Sequence, residues 1–507
     1  MSSESIMKSV WSATTTLPKS PSQNDDIKTD VLIIGGGIVG ILTAYFLQQN
    51  GIDYVLVEKG RNCSGTTQNT TAKITVQHGL VYQKIVKSYG TETAQKYLAA
   101  NTEAFEKYAE ICKNIDCDFE IKDSYVYSVN DRKKLENEMM ALQKIGYNGD
   151  LCESVSIPVQ SVGAVRFLNQ AQFHPLKFLS AISRGLNIYE NTFVKEMIGN
   201  TAVTNHGKIY ADKVIAATHF PFINKHGGYF LKLYQHRSYM IALENAQNVN
   251  GMYVDESRTG MSFRNYNNLL LIGGGGERTG KIGGNWTELR NFAKEHYPNA
   301  KERYFWAAQD CMSLDDIPYI GSYSRSTADF YVASGFNKWG ITGAMVSAII
   351  LSDMIAGKSR DYADIFNPSR SIIKPQLFVN GYEAVKNLLS ISDKRCPHLG
   401  CALKWNSVDI RGIVNAMAHV LLKTERFLII LPMGIFLKNR KMDAPKKVSN
   451  APKLKTVAPK AVSNAPKPKM VAPKAVSNAP KPKMVAPKAV SNAPKSKIDA
   501  PNTGMVY

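Results

Sequence analysis

The segment that most limits what this chain can fold into is TDVLIIGGGIVGILTAYFLQQNGIDYVLVEKG, residues 29–60. Val31 to Ile34 is an unbroken run of β-branched residues and leucine, the pattern of a strand buried on both faces of a parallel sheet. Gly35, Gly37 and Gly40 follow as G-x-G-x-x-G. Val39 to Gln49 then reads as a helix stopped by Asn50-Gly51, and Asp53 to Val57 as a second strand ending in Glu58. Each part has a mechanical reason. Gly35 permits a tight turn, Gly37 lets backbone approach a pyrophosphate beside Ile38, and Gly40 brings helix and strand together. The helix N-terminus faces the phosphates, and Glu58 is placed to accept hydrogen bonds from an adenosine ribose. Strand, turn, helix, strand and terminal acid together predict dinucleotide binding; alone they leave FAD and NAD both open.

A chain of 507 residues predicts two or more domains plus tails. Its net charge of +20 is unevenly placed. From Asp443 onward there are thirteen Lys and two Asp, so this tail carries +11 and the first 442 residues only +9. Charge therefore does not point the folded part toward nucleic acid. Seven scattered cysteines suggest a reducing compartment. The first thirty residues lack a signal-peptide core, and the apolar run Phe427 to Leu437 is too short to span a bilayer. The expectation is a cytoplasmic protein with no membrane span.

With the nucleotide-binding start as its first block, the chain resembles the D-amino-acid oxidase-like (glycine oxidase, sarcosine oxidase) superfamily of FAD-dependent oxidoreductases, from about Thr29 to Lys358. The second block is GTTQNTTAKITVQHGLVY, residues 65–82. The resemblance implies that Thr66, Thr67, Thr70, Thr71 and Ala72 pass beside the flavin ring. The third is RFLNQAQFHPLKFLSAI (166–182) with the strand-like runs after it, where Val194 and Ala217 would lie near the adenine half. Within it, His174 reads as a capping or packing residue and Pro175 suits a first helical turn. The fourth is QDCMSLDDIPYIGSY, then FYVASGFNKWGITGAMVSAIILSDMIAGK. Here Gly335, Asn337, Trp339, Gly340 and Thr342 would bring a helix N-terminus to the flavin pyrimidine and stabilise negative charge on the reduced ring. A plain NAD-dependent dehydrogenase has no use for this second, distant contact, so FAD is the cofactor expected. No second strand–G-x-G-x-x-G–helix unit and no C-x4-C pair near the flavin loop is present, which disfavours an NADPH-fed disulfide reductase.

The fold class expected is α/β: a Rossmann-like FAD domain with a parallel sheet (29–80, 154–228, 300–360) interleaved with an α+β substrate domain on an antiparallel sheet (81–153, 229–299). An N-terminal extension (1–28) precedes them, and a degenerate Rieske-like region (361–442) and a disordered tail (443–507) follow. The resemblance implies oxidation of an amine or amino-acid C–N bond by hydride transfer to flavin, to an unknown electron acceptor. Lys73 and His78, near the flavin loop, and Arg237 and Tyr239, on a strand, are the catalytic candidates. Tyr253 and Arg264 share the strand pattern by position only. The cofactor carries the redox chemistry, so no obligate side-chain base is required.

KRCPHLGCALKWN, residues 394–406, looks like the first ligand loop of a Rieske domain, as in a branch of this family. Cys396 and His398 would be two of four ligands to a [2Fe–2S] cluster. No Cys follows Cys401, and His419 is the only later His, so the second Cys/His pair is absent and formation of a cluster is doubtful. In the frame joining the third base of each codon to the first two of the next, Arg411 to Ala418 permits W-D-C-E-C-H-G. Residues 423–435 there permit D-G-K-I-L-D-N-P-A-N-G-D, which also resembles a Rieske ending. This points to a frameshift, in the gene or its sequencing, between about Asn406 and Arg411. From Val448 the chain repeats VSNAPKPKMVAPKA-like units of 14 residues, predicting a disordered, partly polyproline-II extension able to contact polyanions. The alternative to an active enzyme is an inactive or binding-only flavoprotein from a disrupted gene, with that tail as its working part.

Overall fold

The structure of the protein, a computed structural model, describes residues 5–391 apart from 224–226, 282 and 372–373. Cys396, His398, the apolar 427–437 run and the repeats lie outside the described residues. So does the whole of a second unit, Cys401–Tyr507.

Ile27–Ile34 is the central strand of the first sheet, and residues 31–34 are buried without interruption, as their composition requires. It pairs in parallel with Tyr54–Val57 on one side and Lys208–Ala216 on the other. Thr327–Ser334 continues the parallel order and Tyr319–Ser324 closes it antiparallel. Ile188–Tyr189 forms the far edge, and Val194–Ile198 with Thr201–Thr204 makes a hairpin on Lys208–Ala216. The dinucleotide helix, Ile38–Gln49, runs back across this sheet and ends at Asn50, where Gly51 takes φ +67. Beside it packs a second helix, Gly340–Ile355, which is buried along almost its whole length.

The second sheet runs Lys301–Met312, Tyr234–Glu244, Leu269–Arg278, Ser262–Tyr266, Met252–Asp255, Glu120–Ser128, Gly163–Gln172, Lys73–Ile74. It is antiparallel except where Met252–Asp255 meets Glu120–Ser128. Helices Tyr82–Tyr89, Thr91–Cys112 and Arg132–Ile145 come from the stretch read as helical, and Thr287–His296 covers the sheet's outer face. The architecture is thus α/β with one mainly parallel and one mainly antiparallel sheet.

The boundary between the two halves differs from the expected one. Gly163–Gln172 and Lys301–Met312, expected in the cofactor half, both belong to the second sheet. Their backbone hydrogen bonds go to Glu120–Ser128 and Tyr234–Glu244. The opening residues are also built in: Trp11 is fully buried against His174 and Tyr266. His174 caps its helix as its sequence position suggests, with Nδ1 accepting from Lys177 N–H at 3.1 Å and Pro175 in the first turn.

Candidate functional site

The turn after the central strand leaves no room for side chains. A Cβ on Gly35 would sit 2.6 Å from the Ala217 carbonyl oxygen, and one on Gly40 would sit 2.0 Å from the Gly35 oxygen. Gly36, an unassigned position of the motif, is as constrained: its Cβ would lie 2.1 Å from Asn62 Oδ1. That oxygen is buried without a hydrogen-bond partner. Gly37, by contrast, would meet only Thr67 Oγ1 within 4 Å, so its outer side is open. The dinucleotide helix has no side-chain acceptor at its N-cap, and Thr67 Oγ1 takes the Ile38 N–H at 3.1 Å. Glu58 accepts from Gly36 N–H at 2.8 Å and Gly60 N–H at 3.0 Å, leaving lone pairs on both carboxylate oxygens for a diol. Val194 is buried beside Val55 and Val57 at the same end of the sheet.

The loop Gly65–Ala72 is pinned by five hydrogen bonds to four residues. Thr66 Oγ1 donates to Gln309 O (3.2 Å), Trp306 Nε1 to Asn69 O (3.0 Å) and Trp11 Nε1 to Thr70 O (2.8 Å). Arg264 Nη1 donates to both Thr71 O and Ala72 O at 2.7 Å, and Ala72 holds a left-handed φ of +56. Arg264 is 1% exposed, and burial lowers its pKa to about 9. Its Nη1 thus shapes the loop, while its Nη2 is buried without a hydrogen-bond partner. Glu190, fully buried, does the same for the neighbouring turn by accepting from Asn62 N–H and Arg61.

The Gly340–Ile355 helix opens from a strained turn. Gly335, Asn337 and Lys338 have φ of +78, +52 and +72, and Asn337 is locked by Ser313 N–H, Ser313 Oγ and Gly335 O. No capping side chain or carboxylate occupies the helix's first turn, so its amide dipole is open to a ligand's negative charge. Thr342 Oγ1 donates to Thr75 O at 2.9 Å and accepts from Thr75 N–H at 3.3 Å, fixing the helix start against the loop. Trp339, its N-cap, stacks on His78 with ring centroids 5.1 Å apart.

His78 is fully committed to this junction. Its Nε2 faces the Thr75 carbonyl at 2.8 Å and therefore carries the proton, and its Nδ1 accepts from Tyr97 OH at 2.7 Å. Burial lowers its pKa to about 3. No ring nitrogen is left for a substrate, so His78 positions the helix start instead of exchanging protons. Lys73 is different. The residue is 7% exposed, its ammonium has no hydrogen-bond or ion-pair partner among the described residues, and burial followed by repulsion from Arg264 lowers its pKa to about 7.

The second sheet meets the cofactor half with one face. Met240, Ala242 and Trp306 pack into the core shared with the dinucleotide helix, whereas Tyr239, Ile241 and Leu243 pack with Leu289 of the outer helix. Alternation along the strand then puts Arg237 and Tyr239 on the outer face, against expectation. Tyr239 packs on Trp286 and donates to Glu277 at 2.6 Å; Arg237 is exposed and donates to Gln309 Oε1. Tyr253 is a core residue stacked on Tyr125. The inward positions are their neighbours, His236 and Ser238, which sequence reasoning passed over. The signal was present in YQHRSYMIA, where alternate residues from Met240 backward include both.

Among the described residues no group of three or more His, Cys, Asp or Glu is placed to hold a metal ion, and no helix is long and apolar enough to cross a membrane. Residues 30–354 match the family model described as DAO, FAD dependent oxidoreductase. The chain is 32% identical over 462 residues to the "Putative Rieske 2Fe-2S iron-sulfur protein YhfW" of Bacillus subtilis (strain 168), covering 79% of this chain and 91% of that one. It is 30% identical over 112 residues to the gamma-glutamylputrescine oxidoreductase of Escherichia coli (strain K12), covering 22% of this chain and 26% of that one. Among solved structures, glycine oxidase from Geobacillus kaustophilus superposes with a TM-score of 0.58 at 17% identity, over 68% of this chain and all of that one. L-proline dehydrogenase from P. horikoshii gives 0.58 at 17% identity, over 68% and 98%. With a dinucleotide-binding glycine turn, a second open helix start and a family match over residues 30–354, the chain belongs to the D-amino-acid oxidase-like FAD-dependent oxidoreductases.

Proposed function

We propose that this protein oxidises the C–N bond of a small amine or amino acid, delivering hydride to bound FAD. The observation that carries the reading is that two helix N-termini whose N-cap residues supply no side-chain acceptor, at Gly37–Ile38 and Gly340–Thr342, are tied by Thr67 and Thr75 to the threonine-rich segment that follows Gly65, part of which a buried arginine holds in shape. When bound, FAD supplies a two-electron acceptor. Glu58 would hold its ribose, Gly35, Gly37, Ile38 and Gly40 its pyrophosphate, and Val194 and Ala217 would flank its adenine. Thr66, Thr67, Thr71 and Ala72 would line the flavin edge, and the amides of Gly340 and Thr342 would face the pyrimidine, with Gly335, Asn337 and Trp339 shaping that turn. Lys73, buried and close to neutrality, would supply the cation or the proton acceptor nearest the reacting atoms.

Two relatives support the substrate class: one is named for an amine-containing substrate, and glycine oxidase shares the fold. The YhfW relative supports an ancestral coupling to a Rieske cluster, with Cys396 and His398 as the surviving half of the ligand set. Anaerobic titration of the purified yellow protein with D-amino acids, glycine derivatives and polyamines tests the reading. Bleaching of the flavin band by at least one amine is expected, and subsequent addition of air or an artificial acceptor identifies how electrons leave. Colourless protein after attempted reconstitution would sink the proposal. Sequencing the locus tests the frameshift: an intact gene encoding residues 406–442 as they stand removes it.

A further inference from the structure

The inward face of the second sheet holds a cluster of polar groups that the residues assigned to the cofactor do not use. Strand register places Ser238 opposite Ala308 and His236 opposite Asp310. On the other side, Leu269–Arg278 carries a bulge, because Arg237 pairs with Glu277 but Tyr239 with Gly274. The extra residue, Gly275 at φ +60, turns Gly276 inward. A Cβ there would lie 2.6 Å from His236 Cε1 and 3.3 Å from Lys338 Nζ, so both groups border the same small space. Gly276 lets His236, Lys338 Nζ and the Arg258 carbonyl crowd together, and the residues at 238 and 308 beside them are small. Two polar atoms here are buried and unsatisfied: His236 Nδ1, on a residue only 6% exposed, and Ser238 Oγ. Orphans of this kind are costly unless a ligand meets them.

Two charged side chains border this cluster without forming an ion pair. Lys338 makes one hydrogen bond, to the Arg258 carbonyl at 2.8 Å, and Asp310 forms no ion pair with it or with any other described residue. Burial raises the Asp310 pKa and lowers that of Lys338 to about 8. The neighbouring arginines are occupied: Arg258 with Asp316 and Tyr234, and Arg278 with Asn380 and the Tyr234 ring. Asp310 feels the positive charge of Lys338 and the imidazole of His219 without being in ion-pair contact with either, and a carboxylate and an ammonium held apart in this way complement a dipolar ligand better than a simple acid or a simple amine.

We propose that Asp310 is a specificity-determining residue that receives the cationic nitrogen of the substrate, while Lys338 receives an anionic oxygen at its other end and His236 and Ser238 complete the hydrogen bonds. The ligand class is a small zwitterion. This rests on the amine-oxidation reading, and the test separates the two. The probe is 2-aminoisobutyrate, which has both charges but no hydrogen on its α carbon, so it reports binding without turnover. It is compared with tert-butylamine and pivalate, each carrying one of the charges. Binding to the FAD-loaded protein is followed as a shift of the visible flavin spectrum.

Wild type is expected to bind the zwitterion more tightly than either single-charge probe. Asp310→Asn should weaken it on the order of thirtyfold, the loss of a charge-assisted hydrogen bond, while leaving FAD content unchanged. It should also tighten pivalate. Lys338→Met should weaken the zwitterion and spare tert-butylamine, and provides the test if the Asp310 variant does not fold. Zwitterion affinity within twofold of wild type in Asp310→Asn, or pivalate binding wild type as tightly as the zwitterion, overturns the assignment. A wild-type protein that binds the probe yet is bleached by no amine refutes the oxidation reading instead.

Discussion

Replacing His78 with phenylalanine should change how stability depends on pH more than how large it is. The neutral imidazole is buried, donates to Thr75 O and accepts from Tyr97 OH. At pH 7.5 the variant loses both bonds. Thr75 O keeps the Thr342 hydroxyl, so only Tyr97 OH is left unsatisfied, and the cost is about 2 to 3 kcal/mol. Burial lowers the native pKa to about 3, below the 6.5 of an exposed imidazole. Between those values the unfolded chain takes up a proton that the native state refuses. Native stability is therefore fully present above pH 6.5 and is lost as pH falls toward 3, at about 1.4 kcal/mol per pH unit. By pH 5 wild type has given up about 2 kcal/mol through this residue alone, and His78→Phe nothing. The two stability curves should therefore converge near pH 5. Urea unfolding at pH 5.0 to 7.5 with a fixed excess of FAD, followed by tryptophan fluorescence, measures the gap. A gap that stays constant refutes the reasoning, because it would mean that His78 takes up its proton at the same pH in the native and the unfolded protein.

Two further outcomes follow from the same kind of argument. Gly40→Ala places a methyl 2.0 Å from the Gly35 carbonyl oxygen, which forces the dinucleotide helix off the central strand by more than a side chain can absorb. Destabilisation on the order of 3 kcal/mol and loss of FAD during purification are expected, and a yellow variant melting with wild type would contradict it. Lys73→Met should stabilise the apoprotein and slow substrate-dependent flavin bleaching. The native amine titrates near 7 and the unfolded one near 10.5, so wild type loses stability as pH falls from 10.5 to 7. The variant should gain on the order of 4 kcal/mol at pH 7 and nothing above pH 10.5, measured by apoprotein denaturation at both pH values.

How much of this was legible depends on whether the constraint was local. The Gly35–Glu58 unit was, because turn, phosphate approach and ribose acid are set within thirty residues of chain. The observed helix and second strand begin within one residue of their predicted starts. The capping role of His174 was legible for the same reason, with Pro175 beside it. Arg237 and Tyr239 were misplaced because a strand's inward face is set by its partners, and a one-residue error exchanges every side chain. The bulge at Gly275 compounds this, since it reverses the parity of the adjoining strand halfway along. Arg264 and Trp11 were illegible as loop supports because their targets, Ala72 and Thr70, are 192 and 59 residues away.

That long reach has a consequence for assembly. The loop Gly65–Ala72 takes its shape from Trp11, Arg264 and Trp306, and the last of these is made some 230 residues after the loop itself. The adenine end likewise waits for Ala217 to pack on Gly35, so neither end of the cofactor seat is complete until chain made long after the glycine turn has closed over it.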